Sequence, residues 1–229
     1  MGLAGAHSGH AVGGLTMALD AQWAADWMRA SAAAMAENRQ RLINLDRDIG
    51  DADHGENMDR GFSAVVEKLE ADGVPETPGQ VLKLAAMTLM SKVGGAAGPL
   101  YGTAFLRAST AAGPAAELDP AAVVAVLTAA RDGIVARGKA EPGDKTMVDA
   151  WTPAVEAAGT AADAHAGPKE VLAAAANAAD AGLAGTEPLI ARKGRASYLG
   201  ERSAGHLDPG AASTVLILQA AAETAKEDA

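Results

Sequence analysis

The sequence contains no cysteine. That excludes disulfides, thiolate nucleophiles and cysteine-ligated metals, and it leaves the redox compartment unreadable from cysteine usage. Aromatic residues are only 3% of the 229. A β-sandwich or barrel draws on aromatic and β-branched side chains, so their scarcity argues against one. Basic residues are outnumbered, 19 Lys and Arg against 29 Asp and Glu, for a formal charge of −10. A nucleic-acid partner, which needs a basic stripe, is not expected. No apolar run approaches the roughly 20 residues of a membrane span. The start, Met1–Gly14, has neither the basic opening nor the apolar core of a secretory signal. A cytoplasmic protein without a membrane partner is therefore expected. What is abundant is alanine, 58 residues. Alanine has the highest helix propensity and lets helices pack closely, so an all-α fold is expected.

Residues 1–19 hold Gly, Ala and His in no period and read as a disordered leader before one helical domain over 20–229. From Asp20 a helical period begins with Trp23 and Trp27 and runs to about Leu45, where Gly50 and Gly55 interrupt it. A second helix follows from about Asn57, with Phe62, Val65, Val66 and Leu69 on one stripe. Further helices are predicted over about 80–92, 101–111, from Asp119-Pro120, over 145–162 and 168–183, and over 211–225. Asp119-Pro120 is a start signal, a capping residue followed by Pro at the first helical position. Seven or eight helices with short connections make neighbours antiparallel, so an up-and-down bundle closed into a helical barrel is the economical topology.

Four polar, Gly-rich stretches at helix ends carry the chemistry: Asp46–Asn57, Gly94–Gly102, Gly138–Asp149 and Arg192–Gly210. In an alternating bundle such loops can converge on one rim. There, helix starts and main-chain N–H groups would form an anion site. In the first stretch Asp46, Asp51 and Asp53 can aim at one point because Gly50 lets the chain fold back. Carboxylate oxygens are what Mg²⁺ takes. The alternative is a solvated acidic turn with Asp as helix caps. A calcium EF-hand loop is excluded, since its Gly-x₅-Glu end is missing. Gly94 to Gly102 lacks bulky side chains where a backbone would approach an oxyanion, but it also suits a plain turn. Gly138 to Thr146 nearly spells a P-loop, yet Asp144 spoils the spacing and a helix precedes it rather than a strand. The fourth stretch concentrates Arg192, Lys193, Arg195, Arg202 and His206 in an acidic chain, which suggests a local anion site or a surface loop paired with carboxylates. His54 and His206 could act as bases or be structural.

Together, in order and over roughly residues 44–218, these stretches resemble the L subunit of dihydroxyacetone kinase. The resemblance rests on Leu45-Asp46-x-x-Ile49-Gly50-Asp51-x-Asp53-His54-Gly55-x-Asn57-Met58 and on Gly94-Gly95-x-x-Gly98-Pro99-Leu100-Tyr101-Gly102-Thr103. It rests equally on Gly143-Asp144-Lys145-Thr146-Met147-x-Asp149 and on Lys193 through Ala211. It implies an eight-helix antiparallel barrel with a nucleotide, ADP or ATP, at one rim. It implies two Mg²⁺ held by Asp46, Asp51 and Asp53. His54, Gly55, Glu56 and Asn57 would contact phosphates, and Ala96 and Ala97 occupy the phosphate loop. Gly138, Met147 and Arg195 would lie around adenine and ribose, and Asp208, Pro209 and Gly210 would close the site. Ala52 stands where the family commonly has Gly, and Ala96 and Ala97 where Ser is frequent.

The resemblance further implies transfer of a phosphoryl group to dihydroxyacetone held on a separate K subunit. A bound ADP would be recharged by a phosphohistidine phosphocarrier of the phosphotransferase system. Two other readings remain open: an ATP-dependent domain serving another ketose or acceptor, and a nucleotide-loaded module that reports to a regulator. The complete aspartate triad argues against the last.

Overall fold

The computed structural model describes residues 19–225. Side chains that accept hydrogen bonds from free helix N–H groups set several starts. Asp20 accepts from the Trp23 N–H, Thr77 from Gln80 and Asp119 from Ala122, and Pro stands in the first turn behind the last two. The helices are α1 (Ala21–Glu37), α2 (Arg39–Ile49), α3 (His54–Asp72), α4 (Pro78–Lys92) and α5 (Ala97–Ala112). They continue as α6 (Pro120–Gly138), α7 (Val148–Asp163), α8 (Pro168–Gly185), a 3₁₀ segment (Arg195–Ser203) and α9 (Pro209–Thr224). No strand occurs among the described residues. Of the expected leader, residues 1–18 lie outside the described residues. Leu19 is buried, and its carbonyl accepts from the Leu118 N–H.

Several boundaries differ from those the periodicity predicts, among them the end of α2 at Ile49 and the start of α7 at Val148. The single helix expected from Asp20 to Leu45 breaks at Asn38, whose amide side chain hydrogen-bonds the Ala34 carbonyl at 3.0 Å and competes with the backbone ladder. Helix α3 begins at His54 instead of Asn57, so Gly55 is inside it. Helix α5 begins at Ala97, which puts Gly98 and Pro99 in its first turn, where Pro forfeits no helical hydrogen bond. Gly98 is required there: a Cβ would come within 2.2 Å of the Val93 carbonyl oxygen.

Neighbouring helices pack in sequence from α3 round to α9, and α9 closes the ring against α1 and α8. The closest faces carry alanines buried to 0% exposure, among them Ala24, Ala85, Ala154, Ala175 and Ala221. Helix α9 is buried continuously from Pro209 to Leu218, so it is apolar all round rather than striped. An aromatic column fills the space between α1, α3 and α5. Trp23 stacks on Trp27 at 5.4 Å, Trp27 lies 5.7 Å from Phe105, and Phe62 meets Phe105 edge-on at 6.3 Å. The Trp27 ring N–H donates to the Ile217 carbonyl at 2.8 Å and joins this column to α9. No described helix is long and apolar enough to cross a membrane.

The alternation sorts the connections into two groups. Loops 50–53, 93–96, 139–147 and 186–208 lie at one end of the barrel, with the starts of α3, α5, α7 and α9. Because Phe105 is the hub of the aromatic column, Phe105→Ala should lower unfolding stability by about 3–5 kcal/mol. Urea titration followed by far-UV circular dichroism reads this directly; a loss below 1 kcal/mol would contradict the packing role.

Candidate functional site

The turn from α2 into α3 is built around Asp46. This residue sits in the last turn of α2 and is 7% exposed. Its Oδ2 accepts the backbone N–H groups of Asp53 at 2.8 Å and His54 at 3.1 Å. Burial and the neighbouring Asp51 and Asp53 push its carboxyl above the ordinary range, against the pull of those two N–H donors. Gly50 lies directly over the other oxygen, where a Cβ would stand 2.1 Å from Asp46 Oδ1. Ala52 turns the chain with φ +65°, a conformation that suits glycine. The outcome is that one carboxylate oxygen from each of Asp46, Asp51 and Asp53 lies within 4.8 Å of the others. Three hard oxygen donors on a tight turn, two of them open to solvent, fit a divalent cation such as Mg²⁺.

The facing wall is made of helix starts. At the far end of the barrel, Asp20, Thr77 and Asp119 cap α1, α4 and α6. At the site end, the N-cap residues of α3, α5 and α7 make no side-chain capping bond. Asp46 takes the His54 N–H of α3 and Thr146 Oγ1 takes the Val148 N–H of α7, so it is the start of α5, beside Ala96 and Ala97, whose N–H groups and dipole are available to an anion. A cleft of about 690 Å³ is lined by all three aspartates, by Gly94 to Ala97, and by Arg195 and Pro209. A second groove of about 920 Å³ shares Ala96, Thr146, Lys193 and Gly194 with it and has apolar walls of Leu100, Ile134 and Met147. One half of the combined space therefore offers carboxylates and free N–H groups, and the other offers apolar surface.

The structure gathers most of the sequence-expected residues here. Asp46, Asp51, Asp53, His54, Asn57, Ala96, Ala97, Arg195, Asp208 and Pro209 line the cleft, and Gly138 and Met147 line the groove. Three lie elsewhere. Glu56 is on the outer surface, paired with Arg39 at 2.8 Å. Gly55 packs on α2, where a Cβ would come within 2.3 Å of the Arg39 carbonyl oxygen. Gly210 lies behind the wall, and its carbonyl accepts from the Tyr101 hydroxyl at 3.1 Å. Arg195 meets the aspartate turn itself, its Nε 2.9 Å from Asp51 Oδ2. Lys145 and Thr146 carry no site role in the sequence reading, although both stand in the Gly143-Asp144-Lys145-Thr146 stretch of the family resemblance. Thr146 lines both spaces.

Behind the cleft runs a buried polar chain. His54 Nε2 lies 2.9 Å from Ser213 Oγ, and the Tyr101 hydroxyl lies 2.7 Å from the same oxygen and 2.9 Å from Thr214 Oγ1. Burial lowers the His54 imidazole to about 4 and raises the Asp208 carboxyl to about 7. Asp208 nonetheless caps α9 by accepting the Ala211 N–H at 2.7 Å.

The two shifts act on stability in opposite senses. His54 stabilises the fold above the ordinary imidazole range, and that contribution is lost as pH falls toward 4, up to about 3 kcal/mol. Asp208 contributes most at low pH, and its contribution is lost as pH rises toward 7. In metal-free wild type the two slopes should largely cancel between pH 7 and 5. Asp208→Asn keeps the cap and removes one titration, so its stability should fall over that interval; a flat profile in denaturant melts would refute the assignment. Ala52→Gly should relieve the left-handed strain and raise stability by about 1 kcal/mol, read from the same melts.

A model of the family described as DAK2 domain matches residues 48–223. The chain is 45% identical over 211 residues to the ADP-binding subunit DhaL of the PEP-dependent dihydroxyacetone kinase of Escherichia coli strain K12, covering 92% of this chain and 100% of that one. It is 45% identical over 208 residues to the corresponding subunit of dihydroxyacetone kinase 1 of Listeria innocua, covering 91% of this chain and 98% of that one. Among solved structures, the dihydroxyacetone kinase of C. freundii in its native form superposes with a TM-score of 0.69 at 25% identity. The superposition takes in 97% of this chain but only 38% of that one. With the aspartate turn, the open start of α5 and the all-helical ring in place, the chain belongs to the DAK2 domain family.

Proposed function

We propose that this chain is the nucleotide-binding, phosphoryl-transferring subunit of a dihydroxyacetone kinase, working in the cytoplasm. The observation that carries the reading is the joining of two chemistries in one space. Three convergent carboxylates face the open start of α5, and an apolar groove continues from them. A nucleoside diphosphate has the same division, phosphates at one end and a flat base at the other. Its base would lie between Leu100, Ile134 and Met147, and its phosphates between the N–H groups near Ala96 and Ala97 and the aspartate turn. Asp46, Asp51 and Asp53 would hold the cations, two by family resemblance. Mg²⁺ bound there supplies charge neutralisation for phosphate oxygens during in-line transfer.

The chain's own part is positioning. Asp46 holds the turn by its backbone bonds, and Arg195 stands beside Asp51 with its guanidinium toward the cleft. ADP held between Ala96, Ala97 and the aspartate turn would supply the phosphate that carries a phosphoryl group from a phosphohistidine donor to a hydroxyl of dihydroxyacetone. The acceptor would be held on a separate K subunit. This is supported by length: the chain covers all of the E. coli subunit but little over a third of the C. freundii kinase. The relatives named PEP-dependent favour a phosphocarrier over free ATP as donor.

Asp51→Asn and Asp53→Asn should each lower phosphotransfer to K-bound dihydroxyacetone by about 100-fold or more while leaving the helices folded. Full activity in either variant would remove the metal assignment. Native mass spectrometry should find ADP on the purified protein. Mg²⁺ and ADP together should raise the melting temperature beyond the sum of their separate shifts, since a ligand at 100 times its Kd adds about 2.7 kcal/mol. Additive shifts would mean that the two do not share oxygens.

A further inference from the structure

Lys145 is a buried cation that the phosphotransfer reading does not use. It is 1% exposed, and its backbone lies at φ +62°, in the left-handed region. Its ammonium donates to three backbone carbonyls: Thr186 at 2.7 Å, Glu187 at 3.3 Å and His206. Thr186 and Glu187 directly follow α8, at the helix end where the dipole favours a cation. His206 lies 19 residues further on, immediately before the Leu207-Asp208 entry to α9. Between these points runs the segment that carries Lys193, Gly194, Arg195 and Ala196 into the cleft wall. The Gly205 N–H donates to the Glu187 carbonyl at 2.8 Å and closes the same neck.

Between its roots the segment is held by the Arg192 N–H on the Asp144 carbonyl at 3.1 Å, the Ala191 N–H on Ser203 Oγ at 2.8 Å and the Arg195–Asp51 pair, and its tip is open. Gly194 and Gly200 have φ of +66° and +57°, and Tyr198 is 88% exposed. Ala191, Ala196 and Leu199 pack on Ile49, which adjoins the aspartate turn. Lys145 itself belongs to the loop between α6 and α7, where Asp149 accepts the Gly143 and Thr146 N–H groups. A single ammonium therefore ties that loop to both roots of the cleft-covering segment.

We infer that Lys145 is a positioning residue: by pinning both roots of the 187–206 segment to the α6–α7 loop, it holds that segment over the nucleotide cleft. The effect on nucleotide rests on the proposed function, whereas the anchoring does not require it. Hydrogen exchange in nucleotide-free protein tests the anchoring. In wild type the amides of Leu189, Gly205 and Asp208 should be protected, and those of 194–202 should exchange faster. Lys145→Met should accelerate the root amides by about 10- to 100-fold, the factor for losing hydrogen bonds to a charged group, and leave α1 and α3 unchanged. Its ADP dissociation constant in Mg²⁺, measured by calorimetry, should rise by a similar factor. Because the chain has no cysteine, Lys145→Cys can be alkylated at its single thiol with 2-bromoethylamine under denaturing conditions and refolded. That rebuilds an ammonium of nearly the same reach, and root protection should return.

Unchanged root exchange in Lys145→Met, or no recovery on alkylation, would overturn the inference. If the variants do not fold, wild-type root amides that exchange as fast as the tip would do so as well. Wild type that fails to bind Mg²⁺ and ADP while its roots remain protected would sink the proposed function and leave the anchor standing.

Discussion

The Asp46 carboxylate both folds the turn into α3 and stands in the aspartate cluster, and the site depends on that double placement. Oδ2 accepts two backbone N–H groups and thereby folds the turn that starts α3 at His54. Oδ1 lies under Gly50, where no Cβ intrudes, and one Asp46 oxygen lies within 4.8 Å of an oxygen from each of Asp51 and Asp53. Burial alone would favour the protonated acid, and the two N–H donors oppose it. A cation among the three oxygens would favour the charged form further. The same carboxylate is thus a folding element and a candidate metal ligand, so the turn and the cation site cannot be changed independently.

The second constraint is which helix start is left without a cap. At the far end of the barrel, Asp or Thr side chains satisfy the first-turn N–H groups of α1, α4 and α6. At the site end, Asp208 caps α9 and Asp46 and Thr146 accept the first N–H groups of α3 and α7, which leaves the start of α5 without a side-chain acceptor. Missing caps cost stability unless something else accepts the hydrogen bonds. Together with Lys193 and Arg195 the start of α5 makes an anion-seeking wall in a chain of net charge −10. The aspartate turn beside that wall would repel a polyphosphate unless cations came with it, which links metal and nucleotide in one site. The buried His54, Ser213 and Tyr101 chain then ties the starts of α3 and α9 to α5.

Much of the fold was legible because helical period and start signals are local. Trp23 and Trp27 announced α1, and Asp119-Pro120 marked the start of α6. The errors fell where a distant or competing hydrogen bond decides. Asn38 splits a periodic stretch by bonding back to Ala34. Helix α3 extends to His54 because Asp46, from the preceding helix, accepts the first N–H groups. In the site, chemistry-bearing types in clusters were visible, as with the three aspartates and Arg195. Lys145 was hidden because its partners are backbone carbonyls 41 to 61 residues away, which leave no mark on side-chain identity.

By itself the sequence determined helix content, since alanine abundance and few aromatics favour close helices, and it displayed four Gly-rich stretches in family order. It also placed the aspartates on a short turn, because Gly50 permits what a Cβ would block. Only the tertiary structure decided which members of each stretch face one another. Glu56 and Asn57 are adjacent in the chain, yet the helical rotation of about 100° between neighbours sends one outward to Arg39 and the other into the cleft. The ring of helices likewise brought the groove of Leu100, Ile134 and Met147 against the aspartate cleft. That junction depends on packing between helices far apart in sequence, so no local pattern could have expressed it.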